Sequence, residues 1–250
     1  MTGTRIDDPF RATQFAAVHA AYSHAFGARP DAFESGELTI LPRLDAAPFP
    51  YIAVAFAGAR GSVLSVSPDL LDVATTRRPP QHHEIVRPQF LTRFQRQDPP
   101  VEFHGPEILW ALGSAPLPPA LPARLRIEER DASWLNAEQA SLRFPNGVGR
   151  PGVNARAERN RYAVAIVDAT GEPMAVAGVF DSFGLLEIGV DVLPERQGAG
   201  LGIAVVAAAV RSILERSQTP LYGCAADNIR SQRTALSVGF LPILTEAGVS

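Results

Sequence analysis

Apolar and polar positions alternate along this chain in two rhythms, and the second half carries the cleaner pattern. Tyr162–Val167 and Met174–Phe180 are apolar runs separated by six turn-forming residues, which predicts a β-hairpin. Leu185–Val192 predicts another strand, apolar except at Glu187 and Asp191. Gly200–Arg216 is alanine-rich and apolar almost all round, so it predicts a helix buried against the sheet. Leu221–Ala225 then reads as a strand, Ile229–Val238 as a helix and Phe240–Leu244 as a last strand. Upstream, Leu125–Glu129 predicts a strand and Ala132–Arg143 a helix. Residues 145–160, rich in Gly, Asn and Arg, predict a loop over the substrate side.

The first half is less regular. Phe10–Phe26 has helical spacing, and Leu38–Leu41, Tyr51–Phe56 and Val63–Val66 have strand character. Pro68–Thr75 and Pro88–Gln97 predict short helices. Between the halves, four prolines stand among residues 116–122. Such a run favours an extended connector and excludes a helix interior. The expected organisation is an N-terminal α/β domain over 1–115, a linker at 116–123 and a second domain over 124–250. Tyr51–Phe56 with Val63–Val66 echoes the later hairpin, so the first domain is expected as a degenerate copy of the second or as a cap on the acceptor side.

Composition narrows the class. With 46% hydrophobic and 20% charged residues, the 250-residue chain has ample material for a folded core. A net charge of −3 gives no general attraction to nucleic acid or to an anionic membrane. No apolar run is long enough to span a bilayer, and the N-terminus lacks a basic-then-apolar leader pattern. The single cysteine, Cys224, cannot form an internal disulfide and suits a reducing cytoplasm. The cluster His82-His83-Glu84 lacks a second ligand pair at suitable spacing, so no metal is expected.

The chemistry concentrates where the Leu185–Val192 strand meets the following helix. Gln197-Gly198-Ala199-Gly200-Leu201-Gly202 places closely spaced glycines between a strand and a helix. Such a turn directs several backbone N–H groups and the positive helix end at one point, an anion site suited to a pyrophosphate. The dinucleotide pattern G-x-G-x-x-G fails, because Ile203 stands where a third glycine is required. A P-loop fails as well, since Gly-Lys-Ser/Thr is absent.

Q/R-x-x-G-x-G/A fits, and it is followed by a short apolar run and by Asn228-Ile-Arg-Ser231 leading to Gly239-Phe240. In this order the chain resembles the GNAT (Gcn5-related) N-acetyltransferases over residues 124–245. Leu186–Val192 is similar to the fourth strand of the zwittermicin-resistance-like branch. The resemblance implies an α/β (α+β) fold with a mixed, mostly antiparallel sheet flanked by helices. It also implies acetyl-CoA as co-substrate, with Val190, Val192, Gln197, Gly198, Ala199, Gly200, Leu201, Gly202, Asn228 and Ser231 as its contacts. One departure stands out: many members carry a tyrosine, the thiolate protonator, where this chain has Ala235.

Acyl transfer to an amine is limited by the amine's own proton. An alkyl amine of pKa ~10.4 is neutral about once in 2,500 at pH 7, an opposing term of roughly 4.6 kcal/mol. A departing thiol of pKa ~8.5 asks for far less help. Glu187 and Asp191, four apart in a strand, share one face with Gly189 between them leaving room. They are the expected catalytic carboxylates, one as base and one binding a cationic acceptor. The alternative is a solvent-facing or salt-bridged pair. The expected function is transfer of acetyl from acetyl-CoA to a primary amine of a small molecule by direct attack in a ternary complex. A non-catalytic acyl-CoA-binding protein, or an acetyltransferase of protein lysines or N-termini, also fits the motifs. A homodimer is compatible with the sequence.

Overall fold

The computed structural model describes residues 8–44, 52–94, 102–117, 121–149 and 159–250. Parts of four expected features lie outside them: Tyr51, residues 95–97, residues 118–120 of the linker, and residues 150–158 of the loop. The fold is mixed α/β with mostly antiparallel strand pairing. The chain divides into two compact units, each counted over its described residues. One contains 111–223, 230–241 and the start of the chain to Gln14. The other contains 15–110, 224–229 and 242–250.

The first unit is built on β5 (Arg126–Arg130), β6 (Asn160–Val167), β7 (Pro173–Ser182), β8 (Leu185–Val192) and β9 (Pro220–Ala225). These lie in the order β9-β8-β7-β6-β5, antiparallel except for the parallel β8–β9 pair. The register aligns Gly178 with Gly189 and Phe180 with Glu187. One face thus carries 176, 178 and 180 of β7 with 187, 189 and 191 of β8. Over β6 and β7 this face is covered by α4 (Ala132–Gln139) and the turn after it. Leu135, Phe144 and Val148 pack there on Ala163, Ala165, Val167 and Val176. The opposite face is covered by α5 (Leu201–Glu215), whose buried residues run from Leu201 through Val205–Val210 to Ile213. Side chains no larger than Val over 204–210 let this helix lie close to the strands. Fully burying one Val or Ile contributes about 1.5–3 kcal/mol.

The second unit has the order β1-β3-β2-β10-β4, formed by β1 (Leu38–Pro42), β2 (Ala53–Gly58), β3 (Ser62–Val66), β4 (Phe103–Leu112) and β10 (Phe240–Val249). β2 and β3 are buried throughout, because both faces are covered. On one side Tyr22 of α1 (Pro9–Ala25) and Phe26 just after it pack on Phe56, with ring centroids 5.2 and 4.5 Å away. On the other, Ile85, Phe90, Leu91 and Phe94 join Ala53, Ala55 and Leu64 in one core. Those residues come from the short helix α3 (Pro88–Leu91) and the 3-10 turns on either side of it, and Ala74 of α2 (Leu71–Thr76) joins them.

The hydropathy pattern had given no strand over residues 103–112, where Gly105-Pro106 interrupts it. It had also ended β10 at Leu244, where Glu246 and Gly248 dilute the apolar run. In the structure β10 continues to Val249 and pairs with β2 from Leu244↔Gly58 to Val249↔Ala53. Residues 242–250 therefore group with residues 15–110.

Candidate active site

β8 passes into α5 through a short exposed loop. After Leu193 come a 3-10 turn at Pro194–Arg196, then Gln197, Gly198, Ala199 and Gly200. Gly198 has φ +82° and Gly200 φ +76°, a region costly for residues with a Cβ. A Cβ at either position would meet nothing within 4 Å, so these glycines serve backbone conformation and leave open space beside it. Gly200 caps α5 without any side-chain hydrogen bond. The first bond of the helix runs from Ala204 N–H to Gly200 C=O at 3.1 Å. The N–H groups of Leu201, Gly202 and Ile203 therefore have no intrahelical acceptor. Open space, glycine backbone and a bare helix N-terminus together make a seat for an anion.

The second element of the site is a gap in the sheet. β8 and β9 pair only at Leu186↔Pro220, Glu187↔Leu221 and Ile188↔Tyr222, although β8 runs on to Val192. Leu186 N–H points toward β9, bonding Thr219 C=O at 3.0 Å, and Leu193 N–H points toward β7, bonding Met174 C=O at 3.0 Å. By strand alternation, the backbone groups of Val190 and Val192 point into the gap. Gln197 Nε2 donates there to the Val192 carbonyl at 3.3 Å. Its Oε1 accepts a hydrogen bond from Arg230 of α6 (Ile229–Val238). Gln197 thus ties the loop to both sides of the opening.

At the head of α6, Asn228 immediately precedes the helix and donates its N–H to Ala225 C=O at 3.0 Å. Ser231, one turn before Ala235, pairs its hydroxyl with that of Tyr222 at 2.7 Å. Ala235 is fully buried, and Tyr222 is 1% exposed on the face opposite Glu187. Tyr222→Phe is expected to destabilise the protein by about 0.5–1.5 kcal/mol, read from urea unfolding, because one hydroxyl–hydroxyl bond is lost. An unchanged midpoint would mean that water replaces the bond fully.

The two carboxylates of β8 separate in role. Glu187 is 7% exposed, opposite Phe180 on β7 and Leu221 on β9, both fully buried. It stands where the β8–β9 pairing is about to stop. Asp191 was expected as the second catalytic group, and its surroundings argue otherwise. Its Oδ2 accepts from Asn146 N–H at 2.6 Å and Gly147 N–H at 2.8 Å, and its Oδ1 accepts from Asn146 Nδ2 at 2.8 Å. Both oxygens are committed to the turn that follows α4. The space expected over Gly189 is also filled. A Cβ there would overlap the Asn146 carbonyl oxygen, and one at Gly178 would overlap that of Gly147. Asn146, Gly147 and Gly178 escaped the sequence reading, although a glycine inside the apolar run of β7 was a signal of close backbone approach.

The turn is anchored at its start by Arg143, which bonds Glu138 at 2.9 Å and also pairs with Glu172. Burial works to raise the Glu138 carboxyl, but hydrogen bonds from Arg143 and Ser141 outweigh it and hold it below the usual carboxylate range. The stability this lends is complete above the ordinary carboxylate pKa and is lost as pH falls through the depressed value. Glu138→Gln is accordingly expected to flatten the acid side of a melting-temperature profile. An unaltered acid limb would assign that limb to other carboxylates.

Among the described residues, no group of three or more His, Cys, Asp or Glu is placed to hold a metal ion. Among the same residues, no helix is long and apolar enough to cross a membrane.

Residues 169–247, which span β7 to α6 and most of β10, match the FR47-like protein family model. No curated protein matches the chain. Among solved structures, a GCN5-related N-acetyltransferase-like protein from Streptococcus suis is 18% identical with a TM-score of 0.52, covering 96% of this chain and 99% of that one. A GCN5-related N-acetyltransferase from Sphaerobacter thermophilus is 14% identical with a TM-score of 0.50, covering 97% of this chain and 92% of that one. A Drosophila protein is 23% identical with a TM-score of 0.45, covering 60% of this chain. This chain spans about half the length of that fly protein, 51%. These matches do not reach the level of the zwittermicin-resistance-like branch. Residues 169–247 are thus similar to the FR47-like family, and the chain shares the fold of these two GCN5-related N-acetyltransferase structures.

Proposed function

We propose that this chain is an acyl-CoA-dependent N-acetyltransferase that transfers acetyl from acetyl-CoA to a primary amine of a small molecule, by direct attack in a ternary complex. The observation that carries the reading is that β8 outruns its pairing with β9 and leads directly into the Gly198–Gly200 loop. The N–H groups of residues 198–202 and the positive end of α5 would hold the pyrophosphate. The backbone of Val190 and Val192 would pair with the pantetheine amides, with Gln197 giving up its bond to Val192. Asn228 and Ser231 are the further cofactor contacts in this reading. From Val192 to Ile188 is about 13 Å at ~3.3 Å per residue. That span brings the acyl end beside Ile188 and Glu187.

Acetyl-CoA, when bound, supplies an activated thioester carbonyl. Glu187 takes, directly or through a water, the proton that the neutral amine's nitrogen sheds as it attacks the thioester carbonyl, a contribution of about 10²–10⁴-fold. Ala235 provides no proton, and a thiol of pKa ~8.5 departs with little assistance. Calorimetric titration with acetyl-CoA, followed by thiol release with benzylamine, spermidine, kanamycin and a lysine peptide, tests the reading. Micromolar binding with thiol release from a small amine is the expected result. Binding without release from any amine would make the chain an acyl-CoA-binding protein. Release with the peptide alone would make it a protein acetyltransferase.

A further inference from the structure

We propose that Asp191 is a positioning residue that seats the turn at residues 144–149 on the sheet, and that this turn is the acceptor-side wall beside Glu187. Three independent contacts define the seat. Asp191 takes three hydrogen bonds from two consecutive residues of the turn. Gly178 and Gly189, paired across β7 and β8, form a trough that admits the Asn146 and Gly147 carbonyls where no Cβ could stand. The Val148 carbonyl accepts from Gln139 Nε2 at 3.0 Å and from Asn160 Nδ2 at 2.8 Å, while Phe144 and Val148 are buried beneath.

Strand alternation links the seat to the reaction. Residues 187, 189 and 191 share one face of β8, and the turn occupies that face over 189 and 191. Glu187 stands about 7 Å further along the strand, at two residues of ~3.3 Å each. An amine reaching Glu187 from this face therefore passes the turn, and the height of the turn sets the width of its approach. The consequence for the acceptor rests on the acyltransferase reading; the seat itself does not.

Asp191→Asn places an amide donor against backbone donors and should unseat the turn. Hydrogen exchange at the Asn146 and Gly147 amides is expected to speed up by about 10- to 100-fold, with β6, β7 and β8 still protected. With the best acceptor among the four amines above, KM should rise by about tenfold or more. The limiting kcat, the shape of its pH profile and acetyl-CoA affinity should be preserved. Asn146→Ala, which keeps the two backbone bonds and loses one, should give a weaker form of the same pattern and serves if Asp191→Asn does not fold. A collapse of kcat with an altered pH profile would put Asp191 in the chemistry and overturn the proposal. Unchanged exchange at residues 146 and 147 would overturn the seat. Should the wild-type protein neither bind acetyl-CoA nor release thiol, the acyltransferase reading falls and the acceptor role with it. Exchange would then still decide the seat.

Discussion

Gly200→Asp is expected to abolish measurable acetyl-CoA binding while leaving the fold intact. The backbone at Gly200 has φ +76°, which Asp tolerates better than most residues. A Cβ at this position meets no neighbour within 4 Å, so volume alone disturbs nothing. An added carboxylate at the start of α5 even complements the helix dipole. The damage falls on the ligand. Two like charges 4 Å apart repel by about 4 kcal/mol at an effective dielectric constant near 20, close to three orders of magnitude in affinity. Calorimetric titration beside a thermal melt checks both halves of the claim. Retained affinity in a folded variant would remove this loop as the pyrophosphate seat. Gly200→Ala is the companion control, since it carries the backbone strain without the charge.

Glu187→Gln should cost about 10²–10⁴-fold in kcat, the usual worth of a positioned general base, with little change in acetyl-CoA affinity. The substitution keeps the shape of a side chain held between Phe180 and Leu221. Its pH dependence is the sharper readout. Without a base, turnover should follow the free amine and rise about tenfold per pH unit toward the amine pKa of ~10.4. The gap to the wild type would therefore narrow as pH increases. Equal rates for both proteins across pH 6–9 would remove Glu187 from proton transfer.

The elements that carry these two positions were readable from the sequence because their signals are local. A strand of alternating character, closely spaced glycines and an apolar helix occupy one continuous stretch, and β8, α5, β9 and α6 fall within one residue of the expected spans. The fate of Asp191 was not readable. Period-two alternation placed it correctly on the face of Glu187, but its partners are two backbone groups and one side-chain amide 44 and 45 residues upstream, in a turn without periodicity. Gly189 illustrates the same limit. Local reasoning saw a missing side chain and inferred space, whereas the missing side chain is what admits the Asn146 carbonyl. β4 and the far end of β10 escaped because Gly, Pro and Glu interrupt their apolar runs, and long-range pairing overrides such weak local preference.

The pairing of β10 with β2 also constrains how the protein is made. Residues 53–58 leave the ribosome well before their partners at 244–249 exist. During that interval one side of β2 presents unpaired N–H and C=O groups on an apolar strand, a template for association with other chains. Closing so long a loop belongs to the slow class of folding events. The sheet around β2 therefore stays incomplete until residues 244–249 have been made, and its yield in a cell depends on what shields β2 in the meantime.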